Sequence, residues 1–205
     1  MKITKVSKFI MKFLKENLYN VVRLMINQFG MMIFGLVLSF ATANLQGELS
    51  GKMFLIVSLF SAIFYLVLIY YMIWELGARD IIRVEAGRQK YDPFYGTKIA
   101  LIANIPNFFV AFLGLIGYIT GYVLSDGGVG VGLFGAAHML SGFIQAPYLG
   151  IVKQLLASLG LSESYLARAV VYFFTTIPSI VVASFAYVLG CKNFRFFPAK
   201  NTKKS

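Results

Sequence analysis

Charge is the scarcest thing in this chain. Only 13% of its 205 residues are Asp, Glu, Lys or Arg, against 59% hydrophobic, and mean hydropathy is +0.75. Soluble domains carry roughly 25% charged residues to cover their surface, so a free-standing soluble fold is excluded. Cysteine is nearly missing too. The single Cys191 forbids an intrachain disulfide and gives no sign of an oxidising compartment. Histidine occurs once, at His138. That rules out a zincin pair and leaves any Ser/His relay without a sequence neighbour, so His138 reads as a polar packing residue. No glycine-rich phosphate loop is present, because Gly127-Gly128 stands in a turn rather than between a strand and a helix. No catalytic set, metal set or cofactor motif emerges, and the expectation is a non-enzyme with no cofactor.

What the chain does have is long uncharged runs. A transmembrane helix needs about 20 mainly apolar residues, since a rise of ~1.5 Å per residue must cover ~30 Å of hydrocarbon. Positions 24–43, 53–74, 99–124 and 169–189 meet this, and none of the four contains an Asp, Glu, Lys or Arg. Without ionisable groups in the spans, a proton relay or ion pump is disfavoured. The expected fold is all-α: a polytopic integral membrane protein built as a four-helix transmembrane bundle.

A fifth uncharged stretch, 127–152, is broken by Gly132, Gly135, Gly142, Pro147 and Gly150. The positive-inside rule arbitrates whether it spans. With four spans the cytoplasmic side collects 16 Lys/Arg and the outer side only Lys52, Lys153 and Arg168; with five the split falls to 13 and 6. Four spans therefore fit better, with both termini cytoplasmic and a bacterial cell membrane as the expected location. Tyr70, Tyr71 and Trp74 cluster where a headgroup-level aromatic belt is expected. Ala41-Thr42-Ala43 resembles a signal-peptidase site, but the 23 residues before the apolar run are long for an n-region, so an uncleaved helix is expected.

The formal net charge is +11. In a soluble protein this suggests nucleic acid. Here the basic residues flank apolar runs, so anionic lipid at the cytoplasmic face is the expected partner. Residues 1–23 form a basic amphipathic segment, with Ile3, Val6, Ile10, Phe13 and Leu14 opposite Lys5, Lys8, Lys12 and Lys15. That pattern suits a helix lying in the interface. The expected division is this N-terminal helix, a membrane domain over 24–190, and a basic cytoplasmic tail over 191–205.

The cytoplasmic loop 75–98 is dense in charge. Glu75/Arg79 and Asp80/Arg83 have helical ion-pair spacing, so the second helix is expected to continue past the membrane and to stop at Gly87. Asp92-Pro93 has the order of a cap and a first helical residue, which starts the third helix there. Arg79, Asp80, Arg83, Glu85, Arg88, Lys90, Tyr91 and Asp92 form a candidate docking surface for a membrane or cytoplasmic protein; the bland alternative is a well-capped hairpin with a solvated face.

The segment 127–165 predicts two short helices, about 133–146 and 148–159, with Gly160 ending the second and Ser162 capping the fourth span. A re-entrant hairpin, an interfacial hairpin and a span all remain open for its first part.

The third span carries a small, polar face: Ala100, Ala103, Asn104, Asn107, Ala111, Gly114, Gly117 and Gly121. Small residues let helix backbones approach and Asn bonds across helices, so Gly114, Gly117 and Gly121 are packing candidates, within the chain or in a homo-oligomer. Asn104-Ile105-Pro106-Asn107 resembles Thr176-Ile177-Pro178-Ser179 in the fourth span. Proline frees a carbonyl one turn earlier, and broken helices form binding sites in many transporters. Asn104, Pro106, Asn107, Thr175, Thr176 and Pro178 are therefore a candidate polar face. Two functions compete: a scaffold or accessory subunit docking through 75–98, and a small-solute transporter or channel subunit with its pathway at the proline breaks.

Overall fold

The structure, a computed structural model, describes residues 2–43, 47–124 and 128–194. Every regular element among the described residues is helical. Helix α1 is Lys2–Ala43, α2 Gly47–Glu85, α3 Tyr95–Ala103 and α4 Ile105–Tyr118, which runs into a π-helical turn at Ile119–Val123. Helix α5 is Gly128–Ile144; a 3-10 turn at Ala146–Tyr148 leads to α6, Leu149–Ser158. Helices α7 (Tyr165–Thr175) and α8 (Ile177–Cys191) follow.

Four stretches are long and apolar enough to cross a membrane: Lys15–Thr42, Leu49–Glu85, Ile105–Val123 and Tyr165–Cys191. They fall on the four apolar runs expected from the sequence, except that the third, expected over 99–124, begins at Ile105 because the helix breaks at Asn104. The pair α5 and α6 is bent by 87°. Helix α1 runs unbroken through position 23, so the basic segment is the first part of the same helix as the first apolar run, rather than a separate element. The side chains up to Leu14, and the tail from Arg195, lie outside the described residues.

Helix ends follow local chemistry. Gly87 (φ +70°) and Gly160 (φ +67°) both adopt the left-handed conformation that glycine tolerates best. Each closes a Schellman motif: Arg88 N bonds Arg83 O at 2.9 Å after α2, and Leu161 N bonds Leu156 O at 2.8 Å after α6. Two expected caps are displaced. Asp92 does not open α3; its Oδ1 accepts from Phe94 N at 3.1 Å and its carbonyl from Tyr95 N at 3.1 Å. That turn occupies Pro93 and Phe94 and delays the helix to Tyr95. The cap of α7 is Ser164, which accepts from Ala167 N at 3.3 Å, not Ser162. The Ser162 carbonyl instead accepts from the Arg168 guanidinium.

Helix α8 packs most extensively against α2, and α4 against α5. Both contacts are glycine crossings. A Cβ on Gly190 would meet Trp74 O at 2.1 Å, and one on Gly77 would meet Tyr187 O at 2.3 Å. At the second crossing, a Cβ on Gly117 would meet Phe134 N at 2.4 Å and one on Gly130 would meet Gly121 N at 2.4 Å. Large apolar side chains remain on the outside of the bundle, among them Phe40, Ile63, Phe109 and Phe185, each 60% exposed or more.

Candidate functional site

Three helical pairs break at the same kind of sequence. The α3/α4 break is Asn104-Ile105-Pro106-Asn107, and the α7/α8 break is Thr176-Ile177-Pro178-Ser179. The α5/α6 bend is Gln145-Ala146-Pro147-Tyr148, which has the same order of polar, apolar, proline, polar. Each proline lacks an N–H, so the turn before it keeps a carbonyl without its usual helical donor. Polar side chains beside the proline then satisfy part of the freed backbone.

All three breaks meet at one cavity. It is lined by Asn104, Asn107, Gln145, Tyr148, Thr175, Thr176 and Ser179, and closed by Gln28 of α1 and Tyr65 of α2. Gln28 and Tyr65 lie close to the middle of their long apolar stretches, as Thr176 and Ser179 do in theirs. The cavity therefore sits near half the height of the bundle. It offers about 10 Å³ to the centre of a water-sized sphere, about what one water needs.

Hydrogen bonding fixes which atoms are left over. Asn104 Nδ2 donates to Ala100 O at 2.9 Å and to Ser179 Oγ at 3.4 Å. Asn104 Oδ1 accepts from Asn107 Nδ2 at 2.8 Å. Gln145 Nε2 donates to Tyr172 O at 3.2 Å. Thr175 and Thr176 donate to the carbonyls of Tyr172 and Phe173, and Ser179 to that of Thr176. Backbone carbonyls cannot accept from an amide oxygen, so Ala100 O and Tyr172 O dictate how the Asn104 and Gln145 amides point, and Asn104 dictates Asn107. Asn107 Oδ1, Gln145 Oε1 and the Tyr148 hydroxyl stay buried without a protein partner.

The bend between α5 and α6 is held from outside. Ser58 of α2 donates to Pro147 O at 2.7 Å and accepts from Gly150 N at 3.1 Å and Ile151 N at 3.3 Å. Those two N–H groups belong to the first turn of α6, where no helical acceptor exists. The hydroxyl thus acts as an N-cap supplied by a neighbouring helix.

Three further spaces lie near the cavity, one of them an open apolar groove of about 420 Å³ along α1 that shares Gln28, Asn107 and Ile144 with it. A second void of similar size lies between Leu24, Ile69, Ala100 and Ala103, and shares Gln28, Tyr65, Asn104 and Ser179 with the first. The Asn104–Ser179 contact borders both. Nearer the other end of the bundle is an open cleft of about 370 Å³, lined by Phe54, His138, Lys153, Glu163, Arg168 and Tyr172. Arg168 lies 3.6 Å from Glu163, and Lys153 lies over the Phe54 ring at 5.9 Å. His138 stacks with Phe134 and meets Tyr172 edge-on, and its Nδ1 is buried without a partner.

The charged segment after α2 is laid out differently from the expectation. Asp80 is not on the surface: it is 1% exposed, accepts from Tyr187 Oη at 3.3 Å and pairs with Arg83 at 3.4 Å. It therefore leaves the docking set. Glu75 pairs with Arg23 of α1 at 3.3 Å, not with Arg79. Asp92 pairs with Lys98 at 2.5 Å. Arg79, Arg83, Glu85, Arg88, Lys90 and Tyr91 are exposed.

Of the three glycines on the α4 face, Gly117 and Gly121 lie against α5 backbone, whereas a Cβ on Gly114 would meet only the Ala137 methyl at 3.5 Å. Among the described residues, no group of three or more His, Cys, Asp or Glu is placed to hold a metal ion. Sequence reasoning missed Gln28, Ser58, Tyr65, Gln145 and Tyr148. The Gln145-Ala146-Pro147-Tyr148 pattern was the available signal for the last two; the first three are lone polar residues in apolar helices. No protein-family model, curated protein or solved structure matches the chain.

Proposed function

We propose that this chain is a multi-pass membrane protein that moves a small solute across the bilayer, alone or as a subunit, through the cavity where its broken helices meet. In this reading the chain threads four times with both ends cytoplasmic, and α5 and α6 form a re-entrant hairpin on the outer side. The outward-facing Phe40, Ile63, Phe109 and Phe185 support lipid as the surrounding solvent, because such a surface is unfavourable in water by about 25 cal/mol per Å². The 16-to-3 distribution of basic residues supports the threading.

The observation that carries the reading is the convergence of three polar–x–Pro–polar breaks on one buried polar cavity near mid-height. Irregular backbone at membrane depth is tolerated where it is buried in protein or lines a cavity, and transporters place substrate sites at such breaks. In this reading the second void, which shares Gln28, Tyr65, Asn104 and Ser179 with the cavity, extends the path on one side, and the outer cleft lies toward the other.

Reconstituted liposomes test it. Flux of sodium, potassium, ammonium, urea and glycine is compared with that in protein-free liposomes. At least one solute is expected to move faster, and Asn104→Leu with Asn107→Leu to remove the excess. Rates equal to protein-free liposomes for the whole set, or unchanged in the double variant, contradict the reading.

A second reading, a non-enzymatic scaffold or accessory subunit, is favoured by one feature. Ile82 and Phe94 are each 65% exposed beside the exposed Arg79, Arg83, Arg88 and Lys90. Apolar side chains among charges are what a docking surface offers. Crosslinking in native membranes, with and without charge reversal at Arg79, Arg83 and Arg88, separates this from transport.

A further inference from the structure

The transport reading leaves the chemistry of the solute open, and the leftover atoms of the cavity narrow it. This step rests on that reading of the site. The amide nitrogens of Asn104, Asn107 and Gln145, and the hydroxyls of Thr175, Thr176 and Ser179, each have at least one protein oxygen to donate to. Two buried amide oxygens of the lining face no protein partner: Asn107 Oδ1 and Gln145 Oε1, on side chains each 4% exposed. Tyr148 Oη is buried without a partner as well, and it can accept as well as donate.

The backbone points the same way. Helices α3, α5 and α7 all end at the cavity, at Ala103, Ile144 and Thr175. Carbonyls of a last turn lack helical donors and carry the negative end of the dipole. The facing helix starts would bring opposing N–H groups. However, Pro106 and Pro178 stand in the first turns of α4 and α8 and remove some of them. In α6 the Gly150 and Ile151 N–H groups are already taken by Ser58. The cavity thus brings two unpartnered amide oxygens to the C-terminal ends of three helices, without any Asp or Glu in its lining.

We infer that the cavity is a binding site for one dehydrated monovalent metal cation of about the size of sodium, coordinated by Asn107 Oδ1, Gln145 Oε1 and neighbouring oxygens. The volume admits one water-sized sphere, so the ion enters without its hydration shell. Hard cations take oxygen ligands, and transporters use unwound carbonyls and half-helix C-terminal ends to hold sodium. A lining free of carboxylates holds the ion weakly enough to release it, as conduction requires. The two cations of the outer cleft are held off the cavity, Arg168 by Ser162 O and Glu163, and Lys153 over Phe54.

The test uses the full-length chain purified in detergent. Thermal midpoints are read in sodium, lithium, potassium and choline chlorides at equal ionic strength, alongside equilibrium binding of radioactive sodium. Sodium is expected to raise the midpoint above choline in a saturable way, with one tracer ion per chain. Asn107→Leu and Gln145→Met are expected to weaken tracer binding at least tenfold. Gln145→Glu, which adds a carboxylate at nearly the same size, is expected to tighten it at least tenfold at pH 8. The choline midpoint of each variant reports whether it is folded. A common midpoint in all salts with no bound tracer means that the cavity holds only water, and overturns the inference. Binding retained in both Asn107→Leu and Gln145→Met also overturns it, as does Gln145→Glu, folded, binding no more tightly than wild type. Liposome flux is scored separately: movement of a neutral solute without cation binding removes only this inference, whereas absence of any flux removes the transport reading.

Discussion

Asn104 donates through Nδ2 to the Ser179 hydroxyl at 3.4 Å, and this one contact ties the break in the α3/α4 pair to the break in the α7/α8 pair. It also borders both water-sized voids. Ser179→Ala removes this acceptor and the Ser179 bond to Thr176 O, while leaving the Asn104 bond to Ala100 O intact. Unfolding in detergent is expected to show a loss of about 1–3 kcal/mol, the net worth of two neutral hydrogen bonds. Asn104→Leu strands Asn107 Nδ2 as well, and a larger loss, about 2–3 kcal/mol, is expected from it.

Ser58 is a single hydroxyl with three partners across 89 to 93 residues of sequence. Ser58→Ala leaves the Gly150 and Ile151 N–H groups and Pro147 O without it. A loss of about 1–3 kcal/mol is expected, and protease nicking near 145–150 should rise if the α5/α6 bend loosens. An unchanged midpoint would show that Ser58 does not hold the bend.

Glycines on one helix face are not equivalent. Gly117→Ala pushes a methyl to within 2.4 Å of Phe134 N, and the obstructing atoms are backbone, so about 1–3 kcal/mol of destabilisation is expected. Gly135→Ala meets nothing within 4 Å and is expected to be neutral or to stabilise by about 0.5–1 kcal/mol through helix propensity. Melting curves of the two variants should separate in opposite directions.

Asp80 is buried against Tyr187, itself 1% exposed. Asp80→Asn keeps an oxygen for the Tyr187 hydroxyl, whereas Asp80→Leu leaves that hydroxyl buried and unpaired. The Leu variant is expected to unfold more easily than the Asn variant by about 1–3 kcal/mol. Equal midpoints would mean that the carboxyl group bears no structural load.

The four apolar helices were legible because a helix long and apolar enough to cross a membrane leaves an uninterrupted run in the sequence. The breaks at Asn104 and Thr176 were legible from proline. Their meeting with Gln145 was not, because the approach of three breaks depends on how the pairs pack. Ser58 and Gln28 carry no periodic signal; only the partner helix reveals their use. Asp80 was misplaced because its i,i+3 spacing to Arg83 looks the same whether the carboxylate faces water or Tyr187. Ser162 and Ser164 stand two residues apart before the same helix, and the choice between them was made by Arg168, which takes the Ser162 carbonyl.

Whether the α5/α6 bend enters and leaves on one side decides the depth of the whole cavity, and labelling with a membrane-impermeant maleimide answers it. In a Cys191→Ser background, which removes the single native thiol, cysteines are placed one at a time at Val129 and Leu159, both well exposed. Both positions are expected to be labelled from outside intact cells, before permeabilisation. Labelling of Val129 from outside but of Leu159 only after permeabilisation would make the pair a fifth span, carry the tail beyond Cys191 to the external face, and contradict the re-entrant site.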